Sequence, residues 1–464
     1  MSLTEAAIDT AAGEGEPIGG LKKTLRSRHV EMIAIGGIIG AGLFVGSSTS
    51  IATVGPAVIL SYAAAGAIVL LVMRMLSEMA VGIPGVQSFP EFARIGIGHW
   101  AGFMSGWLYW YFWVIVVAIE AIAGANIIHL WLPMLPTWAI GIVLMAVLTG
   151  VNLMSTRSYG EFEFWFSSIK VAAILAVIVI GASYVLGLGA PAGPTFANLT
   201  AHGGFMPNGL FAVLGGVTAV IFSLVGAEIA TIAAAESAEG RKTIARMTST
   251  VALRILIFYI LSVAVVVAAG PWTSIVQGVS PFATVLGVIG IPAGETIMNA
   301  IVLVAVLSCL NSGLYVTSRV LFVLAARGDA PQSLVALDKR AVPARSILAG
   351  SLFSYVALGA SIISPELVFA FLVNASGAIM LVIYILIAVA QLRLRKRLEA
   401  EAEDGLSVRM WFHPWGSIVA IVAMVGVLAG MALTPSLTSQ FLASLAVVAV
   451  TALAFFAFRR GASA

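Results

Sequence analysis

Gly36-Gly37-Ile38-Ile39-Gly40-Ala41-Gly42-Leu43-Phe44-Val45-Gly46 puts five glycines into an apolar run long enough to cross a bilayer. A lipid-embedded helix is ordinarily filled with Leu and Val, and glycine at this density favours local unwinding. Non-helical backbone at membrane depth is tolerated only where it is buried in protein or lines a cavity, so an unwound turn here points to a ligand or a water path. The alternative is a close helix-helix contact through small residues. The stretch by itself supports both.

The surrounding chain settles the class. Its 464 residues are 60% hydrophobic and 10% charged, with a mean hydropathy of +1.06, which no water-soluble domain could carry on its surface. The single cysteine, Cys309, cannot form an intramolecular disulfide. The first 28 residues are polar, acidic and then basic, without the apolar core of a signal peptide, so targeting falls to the first membrane helix. Apolar runs of about twenty residues or more mark membrane spans. Twelve are read, at 30–52, 56–83, 99–130, 137–154, 164–188, 208–234, 251–271, 294–326, 345–364, 366–392, 414–434 and 437–458. The third and eighth are long enough to tilt or project. Between the second and third, Phe89-Pro90-Glu91-Phe92-Ala93-Arg94 reads as a short interfacial helix with Phe89 and Phe92 toward lipid or core.

Basic residues give the orientation. Lys22, Lys23, Arg26 and Arg28 precede span one, and Arg94, Arg157, Arg241, Lys242 and Arg246 follow spans two, four and six. Further clusters follow spans eight (Arg327, Lys339, Arg340, Arg345), ten (Arg393, Arg395, Lys396, Arg397, Arg409) and twelve (Arg459, Arg460). All fall on one side of a twelve-span chain, whereas the opposite loops Pro191–Phe205 and Pro271–Ala293 hold no Lys or Arg. The positive-inside rule then puts both termini in the cytoplasm of a plasma (inner) membrane protein. The net charge of +3 is a topology signal and implies no nucleic acid partner.

Span six repeats the peculiarity of span one. In Phe222-Ser223-Leu224-Val225-Gly226-Ala227-Glu228 a glycine and a carboxylate interrupt the run, and Gly40-Ala41-Gly42 overlays Gly226-Ala227-Glu228. The chain thus divides into a tail (1–29), a five-span unit (30–188), a loop (189–207), a second unit of opposite topology (208–392), a loop (393–413), spans eleven and twelve (414–458) and a tail (459–464). Interrupted helices at matching positions of inverted repeats mark the midplane substrate site of a secondary transporter.

Few ionisable groups lie well inside the runs, and a charge at the bilayer centre costs roughly 2.5–3.5 kcal/mol even on insertion scales. Lys170 in span five can exchange a proton as a cavity opens to alternate sides, or clamp helix-end carbonyls as a permanent charge. Glu228, beside the break, can bind a proton, a substrate amine or Lys170, or sit neutral in a hydrogen bond between helices. Glu120, in span three, reads first as a structural partner. Arg74, Arg254 and Arg319 lie nearer helix ends, where snorkelling accounts for them. Ser308, Ser312, Tyr315 and Arg319 form one polar stripe on span eight, either a water-accessible path or helix glue. The aromatic cluster Trp107–Trp113 can gate, anchor or pack. Five scattered histidines give no metal site, no phosphate-cradling loop is present, and no cofactor is implied.

These residues resemble the amino acid-polyamine-organocation permeases over nearly the whole chain from about Leu25. The resemblance rests on Ser27-Arg28-His29-Val30, Gly36–Gly46, Phe44-Val45-Gly46-Ser47-Ser48, Gly160-Glu161-Phe162-Glu163-Phe164-Trp165 before Lys170, and Gly226-Ala227-Glu228 with Ala233-Ala234-Ala235-Glu236-Ser237. It continues through Cys309-Leu310-Asn311-Ser312, Ser318-Arg319 and Arg327-Gly328-Asp329-Ala330-Pro331. With Ser376-Gly377-Ala378-Ile379, the chain is most similar to the 4-aminobutyrate (GABA) permeases of that family. The resemblance implies an all-α, LeuT-like fold of two inverted five-span repeats with broken spans one and six. It implies that span one, around Ile38, Ile39, Gly40, Ala41 and Gly42, holds a substrate carboxylate through backbone N–H groups. The break in span six, with Phe222, Ser223, Gly226 and Glu228, would hold the amine. Lys170 matches a proton-coupling lysine, and Glu228 and Glu236 match acidic positions, Glu236 near the inner mouth. Glu120, Ser308, Ser312 and Tyr315 are candidates for the pathway or gate. The implied activity is proton-coupled import of an amino acid, GABA first, by alternating access, with the proton as coupling ion and lipid as surroundings. Exchange or import of another neutral or basic amino acid, and a non-pumping sensor or channel, are the alternatives.

Overall fold

The computed structural model describes residues 39–83, 86, 89–154, 159–188, 195–226, 228, 241–338, 342–360, 362, 364–401, 406 and 408–461. Ile38 and Glu236, two of the expected site residues, lie outside them.

The described secondary structure is helical throughout. Span one enters as α1 (Ala41–Phe44) and α2 (Ser47–Val54), and α3 (Val58–Gly82) is span two. The interfacial α4 (Phe89–Gly96) leads to α5 (His99–Trp131), α6 (Thr137–Met154) and α7 (Tyr159–Val185). The second half begins with α8 (Gly209–Leu224) and α9 (Arg241–Ala269), followed by α10 (Pro281–Ile289), α11 (Gly294–Ala326), α12 (Ala344–Ala360) and α13 (Pro365–Glu401). Last come α14 (Trp415–Leu433) and α15 (Thr438–Gly461). Among the described residues eight segments are long and apolar enough to cross a membrane, the first of them, Ala41–Gly82, taking in both expected spans one and two. Shorter apolar helices stand at the expected positions of spans six, seven and nine.

The two halves pack on each other as matched pairs: α1 on α8, α3 on α9, α5 on α11, and α6 on α12. The third and eighth spans, α5 and α11, are each 33 residues long and form the central seam. Phe92 of α4 turns into the core. The tenth run ends at residue 392 by hydropathy, but α13 continues to Glu401 because its charged last turns remain good helix formers beyond the apolar layer.

A helix the apolar runs do not show is α10, in the loop free of basic residues. Ser280 accepts the Ala283 N–H at 3.5 Å, Pro281 occupies the first helical position, and Gly290 ends the helix in the left-handed region at φ 82°. These are ordinary start and stop signals on a helix too short to span. Phe282 of α10 is fully buried and meets Phe44 of α1 edge-on at 5.5 Å. Gly278 donates to Ser48 Oγ at 2.9 Å, so this segment is tied to the first half of the chain.

Ion pairs gather the basic loops at one end of the bundle. Glu91 and Arg94 of α4 pair with Arg327 and Asp329 after α11. Glu78 of α3, fully buried, accepts from Arg395 and Gln391 of α13 and from the Met410 N–H. Segments following spans two, eight and ten therefore share one face, the arrangement the charge asymmetry requires.

Candidate substrate site

Both expected helix interruptions are present in the described residues. Gly40 is extended (φ −138°, ψ −154°) and α1 starts only at Ala41. The helix kinks again at Val45 and Gly46, whose N–H groups share Ala41 O at 2.8 and 2.6 Å. In span six α8 stops at Leu224, Val225 turns extended (ψ 144°), and Gly226 sits at φ 112°, a conformation that a side chain would strain. Val225 N–H still reaches Ile221 O at 3.1 Å, but the Gly226 N–H goes to Glu228 Oε2 at 2.9 Å, so Phe222 O loses its regular helical donor.

The two breaks face one narrow cavity, walled by Gly40, Gly42, Phe112, Trp113, Val116, Glu120, Phe222, Ser223, Val225, Cys309 and Ser312. Close approach explains the glycines of span one. A Cβ on Gly40 would lie 2.4 Å from Cys309 Sγ and 3.0 Å from Glu120 Oε1, and one on Gly42 would lie 2.8 Å from Ser223 Cα. Ser223 Oγ also donates to Gly42 O at 2.5 Å. Both readings of the glycine stretch are thus realised: Gly40 belongs to unwound backbone at a cavity, and Gly42 lets spans one and six touch.

Glu120 has a larger place than a sequence-based structural partner. It is 2% exposed, and its carboxylate accepts the Ala41 N–H at 3.2 and 3.3 Å. The backbone of span one holds a carboxylate of the protein itself. Lys170, fully buried, donates to Ser308 Oγ at 3.0 Å and reaches Cys309 Sγ at 3.9 Å. Cys309 Sγ in turn lies 3.8 Å from Ile39 O. Lys170, Cys309, the Ile39–Ala41 backbone and Glu120 thus form one polar chain across spans five, eight, one and three.

Glu228 lies behind the cavity wall. Its carboxylate accepts the Gly226 N–H at 2.9 Å and faces the hydroxyls of Tyr109 at 3.5 Å and Tyr384 at 3.4 Å. It caps the strained backbone of the break and ties it to spans three and ten. On the stripe of α11, Ser308 and Ser312 reach Lys170 and the cavity, while Tyr315 lies 4.5 Å under the Arg319 guanidinium.

Phe112, Trp113, Val116 and Val225 were not read from sequence as individual cavity residues, and neither was the role of Tyr384. The cluster Trp107–Trp113 announced the aromatics, but only packing shows that Trp113 faces the cavity. Its ring stands edge-on to Tyr109 with centroids 6.1 Å apart, so this wall of the cavity is aromatic.

Residues 29–460 match the family model described as amino acid permease. The chain belongs to the amino acid permease family. It is 48% identical to the gamma-aminobutyric acid permease of Bacillus subtilis over 442 residues, 95% of this chain and 94% of the relative. It is 41% identical to an aromatic amino acid transport protein of Corynebacterium glutamicum, over 89% of this chain and 90% of that protein. A crystal structure of a manganese transporter mutant from Eremococcus coleocola superposes with a TM-score of 0.55 at 12% identity, covering 96% of this permease and 98% of that chain. At that identity the likeness concerns the fold alone, and it is the LeuT-like inverted-repeat fold expected from the two interruptions. The permease is a multi-pass membrane protein for amino acid transport and not an enzyme.

Proposed function

We propose that this permease imports GABA together with a proton, from outside to cytoplasm across the plasma membrane, by alternating access. The observation that carries the proposal is the Glu120 carboxylate resting on the Ala41 N–H inside the cavity. Backbone that accommodates one carboxylate accommodates another of the same chemistry, so the substrate's carboxylate takes the Ala41 site. Two anions cannot share that buried spot, because like charges in a medium of low dielectric repel strongly. Glu120 must leave neutral, carrying a proton, when substrate enters, and this makes proton and amino acid arrive together.

The rest of the site follows from charge. The carbonyls at the end of α8 present partial negative charge to the substrate ammonium. Lys170 holds spans five and eight against the backbone of span one through Ser308 and Cys309, so changes at Glu120 are felt by the same chain of contacts. Glu228, with Tyr109 and Tyr384, keeps the span six break in shape. Spans one, two, six and seven then rock against the remainder, biased by the proton carried between Glu120 and Lys170. The bias of Lys and Arg to one face supports cytoplasmic termini.

The aromatic relative and the walls of Phe112, Trp113 and Phe222 favour a second reading, an aromatic amino acid substrate. Competition against labelled GABA counterflow in proteoliposomes separates the two. GABA counterflow with GABA as the strongest competitor is expected; absence of GABA counterflow, with counterflow of labelled phenylalanine or tryptophan instead, would assign the permease to the second reading.

A further inference from the structure

Arg74 is placed where a snorkelling arginine alone does not belong. On α3 the residues turned outward are Leu60, Ala63, Ala64 and Ala67, then Leu70 and Leu71, and the next position on that stripe is Arg74. The stripe faces lipid by its apolar character and helical spacing, so Arg74 closes a lipid-facing surface with a charge. Glu78, one turn further, lies near it but directs its hydrogen bonds to Arg395, Gln391 and Met410. Arg74 donates from Nε to Arg409 O at 2.8 Å, and the Trp411 ring covers its guanidinium at 5.2 Å. Among the described residues its two Nη groups have no acceptor, and Arg409 beside it is exposed.

The loop around this charge is built of aromatics turned outward. Trp411, Phe412 and Trp415 are 40%, 87% and 69% exposed. Phe412 sits at φ 51°, a left-handed conformation rare for an aromatic residue, and it gains nothing there from the protein core. Trp415 opens α14, which packs against α3, so the cluster stands at the head of the notch between spans two and eleven. Aromatic rings and guanidinium groups at one level, above an apolar notch, are complementary to the interfacial region of a phospholipid whose acyl chains lie along the helices.

We propose that Arg74, Arg409, Trp411, Phe412 and Trp415 form a binding site for an anionic phospholipid in the leaflet on the basic-loop side. The lipid phosphate bridges the Nη groups of Arg74 and the Arg409 guanidinium, the rings flank the glycerol region, and the chains enter the notch between α3 and α14.

The test reconstitutes the full-length permease in bilayers of equal phosphatidylcholine and phosphatidylglycerol, extracts it mildly, and counts retained lipid by native mass spectrometry. Retention of phosphatidylglycerol over phosphatidylcholine is expected. Because each arginine near a membrane surface contributes about 1 kcal/mol toward anionic lipid, Arg74→Gln/Arg409→Gln should lower that ratio about 30-fold. Arg345→Gln, which removes an exposed arginine from the first turn of α12, should match the wild type. Trp411→Leu, which keeps both charges, serves if the double variant does not fold, and should also lower the ratio. Equal retention of the two lipids by the wild type, or wild-type preference in Trp411→Leu and the double variant, would overturn the site. Displacement of the lipid by millimolar glycerol 3-phosphate would show a site for free phosphate and overturn the lipid assignment.

Discussion

The Ala41 N–H and the Glu120 carboxylate, 79 residues apart in sequence, meet at 3.2 Å across the candidate cavity. That contact ties the unwound start of span one to the scaffold helix α5 and puts an ionisable group on the backbone proposed to receive substrate. Glu120→Gln keeps an acceptor for Ala41 but cannot carry a proton. Uptake by this variant is expected to lose its dependence on external pH while counterflow of labelled GABA persists. An unchanged pH profile would remove Glu120 from the coupling step.

Lys170→Ala removes the ammonium from Ser308 and Cys309. The variant should fold with Glu120, deprived of the nearby ammonium, held neutral by a proton, but acid-driven uptake should be abolished. Undiminished acid-dependent uptake would reduce Lys170 to a packing residue. Ser308→Ala, which deletes a single hydrogen bond worth roughly 1.5–3 kcal/mol when it involves a charge, should weaken uptake less.

Gly40 and Gly42 separate two roles of one glycine stretch. Gly40→Ala would set a methyl group 2.4 Å from Cys309 Sγ, so it should lower substrate affinity, with part of the loss recovered in Gly40→Ala/Cys309→Ala. Gly42→Ala meets the Ser223 backbone, which cannot yield, and should destabilise the protein by about 1–3 kcal/mol through overpacking. Thermal melting in detergent distinguishes the two. A lower melting temperature in Gly40→Ala than in Gly42→Ala would reverse the assignment.

The fold was legible because a membrane chain states its architecture in one dimension: apolar length, basic loops and the glycine-marked breaks are all local signals. Lys170 and the break at Gly226 were legible for the same reason, as polar or flexible residues where lipid logic forbids them. Glu120 was harder to read because its meaning depends on a partner 79 residues away, and that partner is a backbone N–H, which no side chain advertises. Glu228 beside the break reads from sequence either as a site group or as a hydrogen bond between helices, and its carboxylate accepts the Gly226 N–H and faces the Tyr109 and Tyr384 hydroxyls. The helix α10 escaped a search tuned to spans of about twenty residues, although Ser280-Pro281 and Gly290 spelled its ends.

At the basic end, Glu78 gathers Arg395, Gln391 and the Met410 N–H while fully buried. Glu78→Ala leaves the Arg395 guanidinium with only the exposed Glu399 as a carboxylate partner, and breaking a buried pair from one side costs up to about 3–5 kcal/mol. A large fall in melting temperature is expected, smaller in Glu78→Gln, which keeps an acceptor. Equal melting of Glu78→Ala and the wild type would show that the pair contributes nothing to stability.

Proton coupling to GABA import is decided in proteoliposomes containing only the purified permease, by following labelled GABA under an imposed inward proton gradient. GABA should accumulate above its external concentration, the accumulation should collapse with a protonophore, and a sodium gradient should not replace the proton gradient. Uptake that merely equilibrates, with the same rate and extent with and without the proton gradient, would contradict a proton-driven GABA importer.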